Sequence, residues 1–250
     1  MKLLALDFDG VICDSASEAF VVAVRTFAEV FPEHPLGPAA EQSAELLAGF
    51  IEHMPLGNRA EDYAVVLAAI AREVPLPDQA AYDAFRARAE PVRLRAFHKR
   101  FYRVRAAWAE ADPAGWLARM APYPGFCELL HRRASEVRLA IATAKDRGSV
   151  RKLLAAYAVA DLFPEGFVLD KDAGEQKRDH VAKLAALAGC APAEVTFVDD
   201  KLNHLEDVAA LGARCVLAAW GYNGPRERRS AEARGFLVCG LGDFEARVFG

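Results

Sequence analysis

Leu3-Leu4-Ala5-Leu6-Asp7-Phe8-Asp9-Gly10 is the stretch on which the fold turns. Four apolar residues run together without polar alternation and stop at two carboxylates and a glycine. That pattern predicts a short strand buried on both faces and ending in a polar turn. At such a strand end residues 7 and 9 point the same way while Phe8 points into the core. Two carboxylates held that close repel each other, and a divalent cation is the simplest means of keeping them ionised. Loop acids capping a helix would read the same, so this stretch alone leaves both readings open.

Three later runs repeat the design. Residues 137–142 end at Thr143, residues 194–198 end at Asp199 and Asp200, and residues 214–219 end near Trp220 and Gly221. Helical periodicity follows the first two, over residues 147–157 and 202–211. Short apolar strands interleaved with helices predict an α/β fold of three layers, a parallel sheet with helices on both faces. Active residues in such a sheet collect at the carboxyl ends of its strands, so Asp7, Thr143 and Asp199 are expected around one crevice. With Asp9 and Asp200, the acids form a hard-oxygen set of the kind that suits Mg²⁺. Solvated turn acids are the alternative, which the second acidic cluster weakens.

Between residues 15 and 122 the pattern changes. Phe20, Val24, Phe27 and Phe31 recur at helical spacing, as do Tyr63, Leu67 and Ile70, and then Phe97, Phe101, Val104 and Trp108, with prolines punctuating the helices. An all-helical domain is therefore expected at 15–122, inserted after the first strand, with the α/β core formed by 1–14 and 123–250.

Of the 250 residues 53% are apolar, which supports a substantial core and excludes disorder. Acidic and basic residues nearly balance, for a net charge of −4, so neither a nucleic-acid binder nor a polybasic membrane-surface protein is expected. The five cysteines show no CxxC or Cys/His metal spacing and read as reduced packing residues. Asp7 and Asp9 interrupt the N-terminal apolar run, and no other such run reaches the length of about 18 residues that marks a membrane span. A cytoplasmic protein, monomer or homodimer, is the expectation. The arginine-rich segment 220–234 reads as a surface loop or an oligomer contact.

Asp7-Phe8-Asp9-Gly10-Val11-Ile12-Cys13-Asp14-Ser15 resembles the first motif of the haloacid dehalogenase superfamily. Ile141-Ala142-Thr143 resembles its second motif and Val198-Asp199-Asp200 its fourth, while Tyr123-Pro124-Gly125-Phe126 is similar to the segment on which the chain returns from an inserted cap. The third motif is a lysine at a helix start. Lys177 fits, because Val181, Leu184, Ala185 and Ala188 give an apolar helix face ending at Gly189; Lys171 is the competitor.

The resemblance implies a Rossmann-like core with a helical cap and a Mg²⁺-dependent phosphatase acting on a small phosphorylated metabolite. It makes Asp7 the nucleophile, Asp9 the general acid and base, Thr143, Ala144 and Lys177 the phosphate contacts, and Asp7, Asp9, Asp199 and Asp200 the metal residues. Four residues after Asp200, where the family often carries Asp or Asn, stands His204, read as an ordinary helix residue; Asn203 precedes it. Substrate choice is expected from the cap. There Gly57-Asn58-Arg59 forms a candidate loop with Arg59 as a substrate contact, and the basic residues from Arg86 to Arg105 read as a solvated face. A phosphomutase of the same superfamily is the alternative, ahead of a receiver-like signalling domain or a non-catalytic binding protein.

Overall fold

The computed structural model describes every residue except Pro35, Pro38, Asn58 and Glu175. Its strands are β1 (Leu3–Leu6), β2 (Cys13–Asp14), β3 (Ala121–Pro122), β4 (Arg138–Ala142), β5 (Val168–Leu169), β6 (Val195–Asp199), β7 (Arg214–Ala218) and β8 (Leu237–Cys239). Six of them form one sheet in the order β5-β4-β1-β6-β7-β8, with every neighbouring pair parallel. Antiparallel β2 and β3 pair where the chain leaves the core and returns to it. Sequence reading does not anticipate β5 or β8, because two or three residues are too few to display a period.

All four residues of β1 are fully buried. Leu3 and Ala5 join Ala140, Phe197 and Leu217 in a core that includes Val181, Leu184, Leu205 and Val208. Leu4 and Leu6 point to the other face by the pleat and are equally inaccessible. Each such leucine contributes about 1.5–3 kcal/mol by burial, which is why the run carries no polar residue until its end. Leu6 stands opposite Ile141 of β4 and Val198 of β6, and the Asp7 amide donates to the Val198 carbonyl at 2.9 Å. The residues that follow on all three strands therefore leave the sheet at one level.

The chain separates into two compact units, residues 1–14 with 121–250, and residues 15–120. The second is built from α1 (Ala16–Val30), α2 (Ala44–His53), α3 (Ala60–Ala71), α4 (Gln79–Arg86), α5 (Pro91–Ala111) and α6 (Pro113–Leu117), with no strand among its described residues. Phe20, Phe27, Leu67, Phe97 and Phe101 are buried in it, and the Phe20 and Phe50 rings meet edge to face at 5.5 Å. Pro91 and Pro113 begin their helices, where the missing N–H costs no hydrogen bond.

Most of the basic stretch of this unit is exposed, as the sequence suggests, but Arg105 is not. Arg105 is buried and donates to both oxygens of buried Glu18, at 2.7 and 2.9 Å, and the Trp116 indole donates to the same carboxylate at 3.0 Å. Arg93 pairs with Glu33, Arg100 with Glu29, and Arg86 with Asp62. Acids distant in sequence absorb these charges, which a linear reading cannot see.

In the first unit the helices are α7 (Phe126–Arg133), α8 (Arg147–Ala156), α9 (Lys177–Ala188), α10 (Leu202–Ala209), α11 (Pro225–Ala233) and α12 (Phe244–Phe249). All five cysteines are free thiols, four of them buried. Among the described residues no helix is long and apolar enough to cross a membrane.

Candidate active site

Asp7 follows β1 directly and is 6% exposed. The Phe8 amide donates to its Oδ1 at 2.6 Å, and Lys177 Nζ lies 2.9 Å from its Oδ2. Lys177 opens α9 and is also buried; its ammonium donates to the Ala142 carbonyl at 2.6 Å and lies 3.3 Å from Asp199 Oδ2. Three acceptors thus surround a group that has three protons. Burial pushes the Asp7 carboxyl up to about 6 against the pull of Lys177, with Asp199 adding to the rise. Burial opposes the Lys177 charge, but Asp7 and Asp199 outweigh it and raise its pKa. Lys171 lies elsewhere, in a loop 2.5 Å from Asp172.

Asp199 ends β6 with no exposed surface. Burial alone would raise its carboxyl, yet His204 and Lys177 hold it well below the ordinary range. His204 is therefore not an ordinary helix residue: its Nδ1 stands 3.0 Å from Asp199 Oδ2. It sits in the first turn of α10, and helical side chains lean toward the N-terminus, which aims it back over the strand end. Asn203, beside it, is exposed.

Asp7, Asp199 and His204 each offer a ligand atom within 4.8 Å of the other two. Asp200 is 1% exposed; burial lifts its carboxyl well above the ordinary value, Lys201 opposes the rise, and Asp199 and Asp7 add to it. Even with Lys177 and Lys201 near, these buried carboxylates are short of positive charge. The deficit and the oxygen-rich donor set fit a hard divalent cation.

Asp200 is positioned by the arginine-rich segment, for which the sequence suggests a surface loop or an oligomer contact. The Tyr222 amide donates to Asp200 Oδ2 at 2.7 Å, and Asn223 Nδ2 donates to the Asp200 carbonyl at 3.1 Å and to that of Ala218 at 2.8 Å. Arg228 braces Asn223 Oδ1 at 2.9 Å. The Trp220 indole donates to the Val11 carbonyl at 3.0 Å, and the Tyr222 hydroxyl to Asp14 Oδ1 at 2.9 Å. Gly221 is required here, because a Cβ would strike the Gly10 carbonyl and the Asp200 side chain. Gly10 has φ +79°, and a Cβ on it would run into the Asp200 carboxylate. Most of these bonds use backbone groups, which leave no residue-type signature; only the run Trp220-Gly221-Tyr222-Asn223 after a strand end hinted at them.

Thr143 follows β4 and is 1% exposed; its Oγ1 accepts the Lys145 amide at 3.1 Å. Lys145, which the sequence reading passed over, is buried and places Nζ 3.0 Å from Asp9 Oδ1. Ala144 between them is half-buried. Arg59 belongs to the helical unit, where it caps α3 and its amide donates to Asp62 Oδ2 at 3.0 Å. Its neighbour Asn58 lies outside the described residues.

The family model for haloacid dehalogenase-like hydrolases matches residues 1–212. No curated protein matches. Among solved structures, a predicted phosphoglycolate phosphatase from Haemophilus somnus 129pt is similar at TM-score 0.68 and 19% identity, over 99% of this chain and 97% of that one. A haloacid dehalogenase-like family protein from Streptococcus pneumoniae is similar at 0.65 and 13%, over 100% and 98%. A haloacid dehalogenase family hydrolase from Deinococcus radiodurans R1, with bound phosphate and sodium, is similar at 0.58 and 18%, over 99% and 95%. The matched stretch carries the acidic strand ends described above, and the chain belongs to the haloacid dehalogenase-like hydrolases.

Proposed function

We propose that this hydrolase is a Mg²⁺-dependent phosphatase that cleaves a small phosphomonoester through a phosphoryl group carried on Asp7. The observation that carries the reading is the buried contact of Asp7 with Lys177 and Asp199, at 2.9 Å between Lys177 and Asp7 and 3.3 Å between Lys177 and Asp199. Phosphoryl transfer asks chiefly for in-line positioning and neutralisation of oxygen charge, and this cluster offers a nucleophile with its counter-charge. The bound phosphate of the Deinococcus radiodurans neighbour is consistent with it.

Asp7, Asp199 and Asp200, with the Asp9 backbone carbonyl, would hold Mg²⁺, which supplies when bound the positive charge that lets a carboxylate approach an anionic phosphate. An Asp7 oxygen attacks phosphorus, forming the Asp7–phosphate bond as the bond to the leaving alkoxide breaks. Lys177 presents positive charge to the phosphoryl oxygens. Thr143, whose Oγ1 already accepts the Lys145 amide, keeps its hydroxyl proton to donate to them. Asp9 gives its proton to the alkoxide and then takes one from the water that hydrolyses the acyl phosphate, releasing inorganic phosphate. Lys145 holds Asp9 in place for both steps.

A panel of phosphomonoesters, assayed for released phosphate with Mg²⁺ and with a chelator, tests this reading. Turnover is expected only with Mg²⁺ and only while Asp7 is present. Hydrolysis by Asp7→Asn at the parental rate would overturn it.

A further inference from the structure

A cavity of about 300 Å³ opens within the helical unit, between the end of α1, α3, the turn after α4 and the start of α5. It is at the small end of the range for ligand pockets, about 300–1,000 Å³. Buried Val65 and Leu94, with half-buried Phe31 and Phe85, give it an apolar lining, and the charged residues around it are Arg72, Arg88, Arg93 and Glu90. Two of the three arginines are engaged. Arg93 pairs with Glu33, donates to the Val30 carbonyl at 2.6 Å and lies over the Phe31 ring at 4.2 Å; Arg72 donates to His34 Nε2 at 2.6 Å. The Arg88 guanidinium is exposed and has no partner among the described residues.

At the cavity edge α3 ends in a Schellman turn, in which the Glu73 amide donates to the Ile70 carbonyl at 3.0 Å. Glu73 adopts φ +54°, which costs a non-glycine residue about 1–2 kcal/mol. The next residue, Val74, donates its amide to the Ala69 carbonyl at 2.9 Å and lines the cavity while remaining 38% exposed.

We propose that this cavity binds a small amphipathic monocarboxylate, with the carboxylate on Arg88 and the apolar body against Phe31, Val65, Phe85 and Leu94. A guanidinium fork matches a carboxylate bidentately. With Arg93 paired to Glu33 and Glu90 in the lining, Arg72 and Arg88 leave the chamber one net positive charge, which suits a monoanion. A phosphomonoester dianion would meet the Glu90 carboxylate with only that one net charge to offset it. The site is lined by residues of the helical unit alone and does not depend on the phosphatase reading.

Isothermal titration calorimetry on the full chain tests it, with 4-phenylbutyrate as probe and 4-phenylbutylamine and acetate as controls. Phenylbutyrate is expected to bind saturably, one per chain, and the controls are not. Arg88→Glu, and Ala68→Trp, which fills the chamber, should each weaken binding at least about tenfold, the loss of one charge-assisted contact or its equivalent. Asp7→Asn should bind as the parent does. Arg88 is exposed, so its variant tests the idea even where Ala68→Trp fails to fold, and far-UV circular dichroism checks both. Absence of saturable phenylbutyrate binding, equal binding of the amine, or undiminished binding by Arg88→Glu would overturn the proposal. Loss of binding in Asp7→Asn would also overturn it, by placing the ligand at the acidic site.

Discussion

The backbone amide of Tyr222 donates to Asp200 Oδ2 at 2.7 Å, so a residue beyond the stretch matched by the family model sets the orientation of a carboxylate inside it. Asn223 adds its bond to the Asp200 carbonyl, and Gly221 leaves no room for the loop to shift toward Gly10. Asn223→Ala is expected to weaken Mg²⁺ binding about tenfold, the lower end of what supporting residues contribute at metal sites. Folding stability should fall by about 2–4 kcal/mol for the three lost hydrogen bonds. Mg²⁺ titration of phosphate release and urea unfolding separate the two effects. A stability loss with unchanged Mg²⁺ affinity would make the segment a purely structural brace.

Asp9 and Lys145 lie 3.0 Å apart. Asp9→Asn is expected to lower kcat by about 10²–10⁴, the usual contribution of a general acid and base, with little change in melting temperature because Asp9 is partly exposed. Lys145→Met should lower kcat less, since it removes the support and leaves the acid. Steady-state kinetics on both variants checks the order; a larger effect from Lys145→Met would give the lysine the direct role.

Glu18 and Arg105 form a buried pair in the helical unit. Arg105→Met strands a buried carboxylate, and the expected loss is about 3–5 kcal/mol. The double variant Glu18→Leu with Arg105→Met removes both charges and should recover most of that loss, although the Trp116 indole then lacks its acceptor. Denaturant unfolding of the single and double variants gives the coupling directly.

His180 is 3% exposed, its Nε2 donates to the Gly174 carbonyl at 3.2 Å, and its Nδ1 has no partner among the described residues. Burial, with Lys177 and Lys183 nearby, lowers its pKa to about 4. Between that value and about 6.5, the ordinary histidine value, the unfolded chain binds more protons than the folded one. Stability therefore rises with pH across this window and is lost as pH falls through it, at up to about 1.4 kcal/mol per pH unit. His180→Asn should flatten that slope. Urea midpoints measured from pH 7 to pH 4.5 test it, and an unchanged slope would assign the acid sensitivity to other groups.

The apolar runs ending at Asp7, Thr143 and Asp199 were legible in the sequence because a strand buried on both faces tolerates no polar residue until it leaves the sheet. The helical insertion was legible because its aromatic residues repeat at helical spacing over three long helices. Tertiary structure alone decided which lysine stands beside Asp7, that His204 turns back onto Asp199, that Lys145 meets Asp9, and that residues 220–223 hold Asp200. Sequence periodicity records which face of an element is buried. Contacts between residues far apart in the chain, many through backbone groups that every residue shares, depend on how strands and loops are brought together, and no local pattern encodes them.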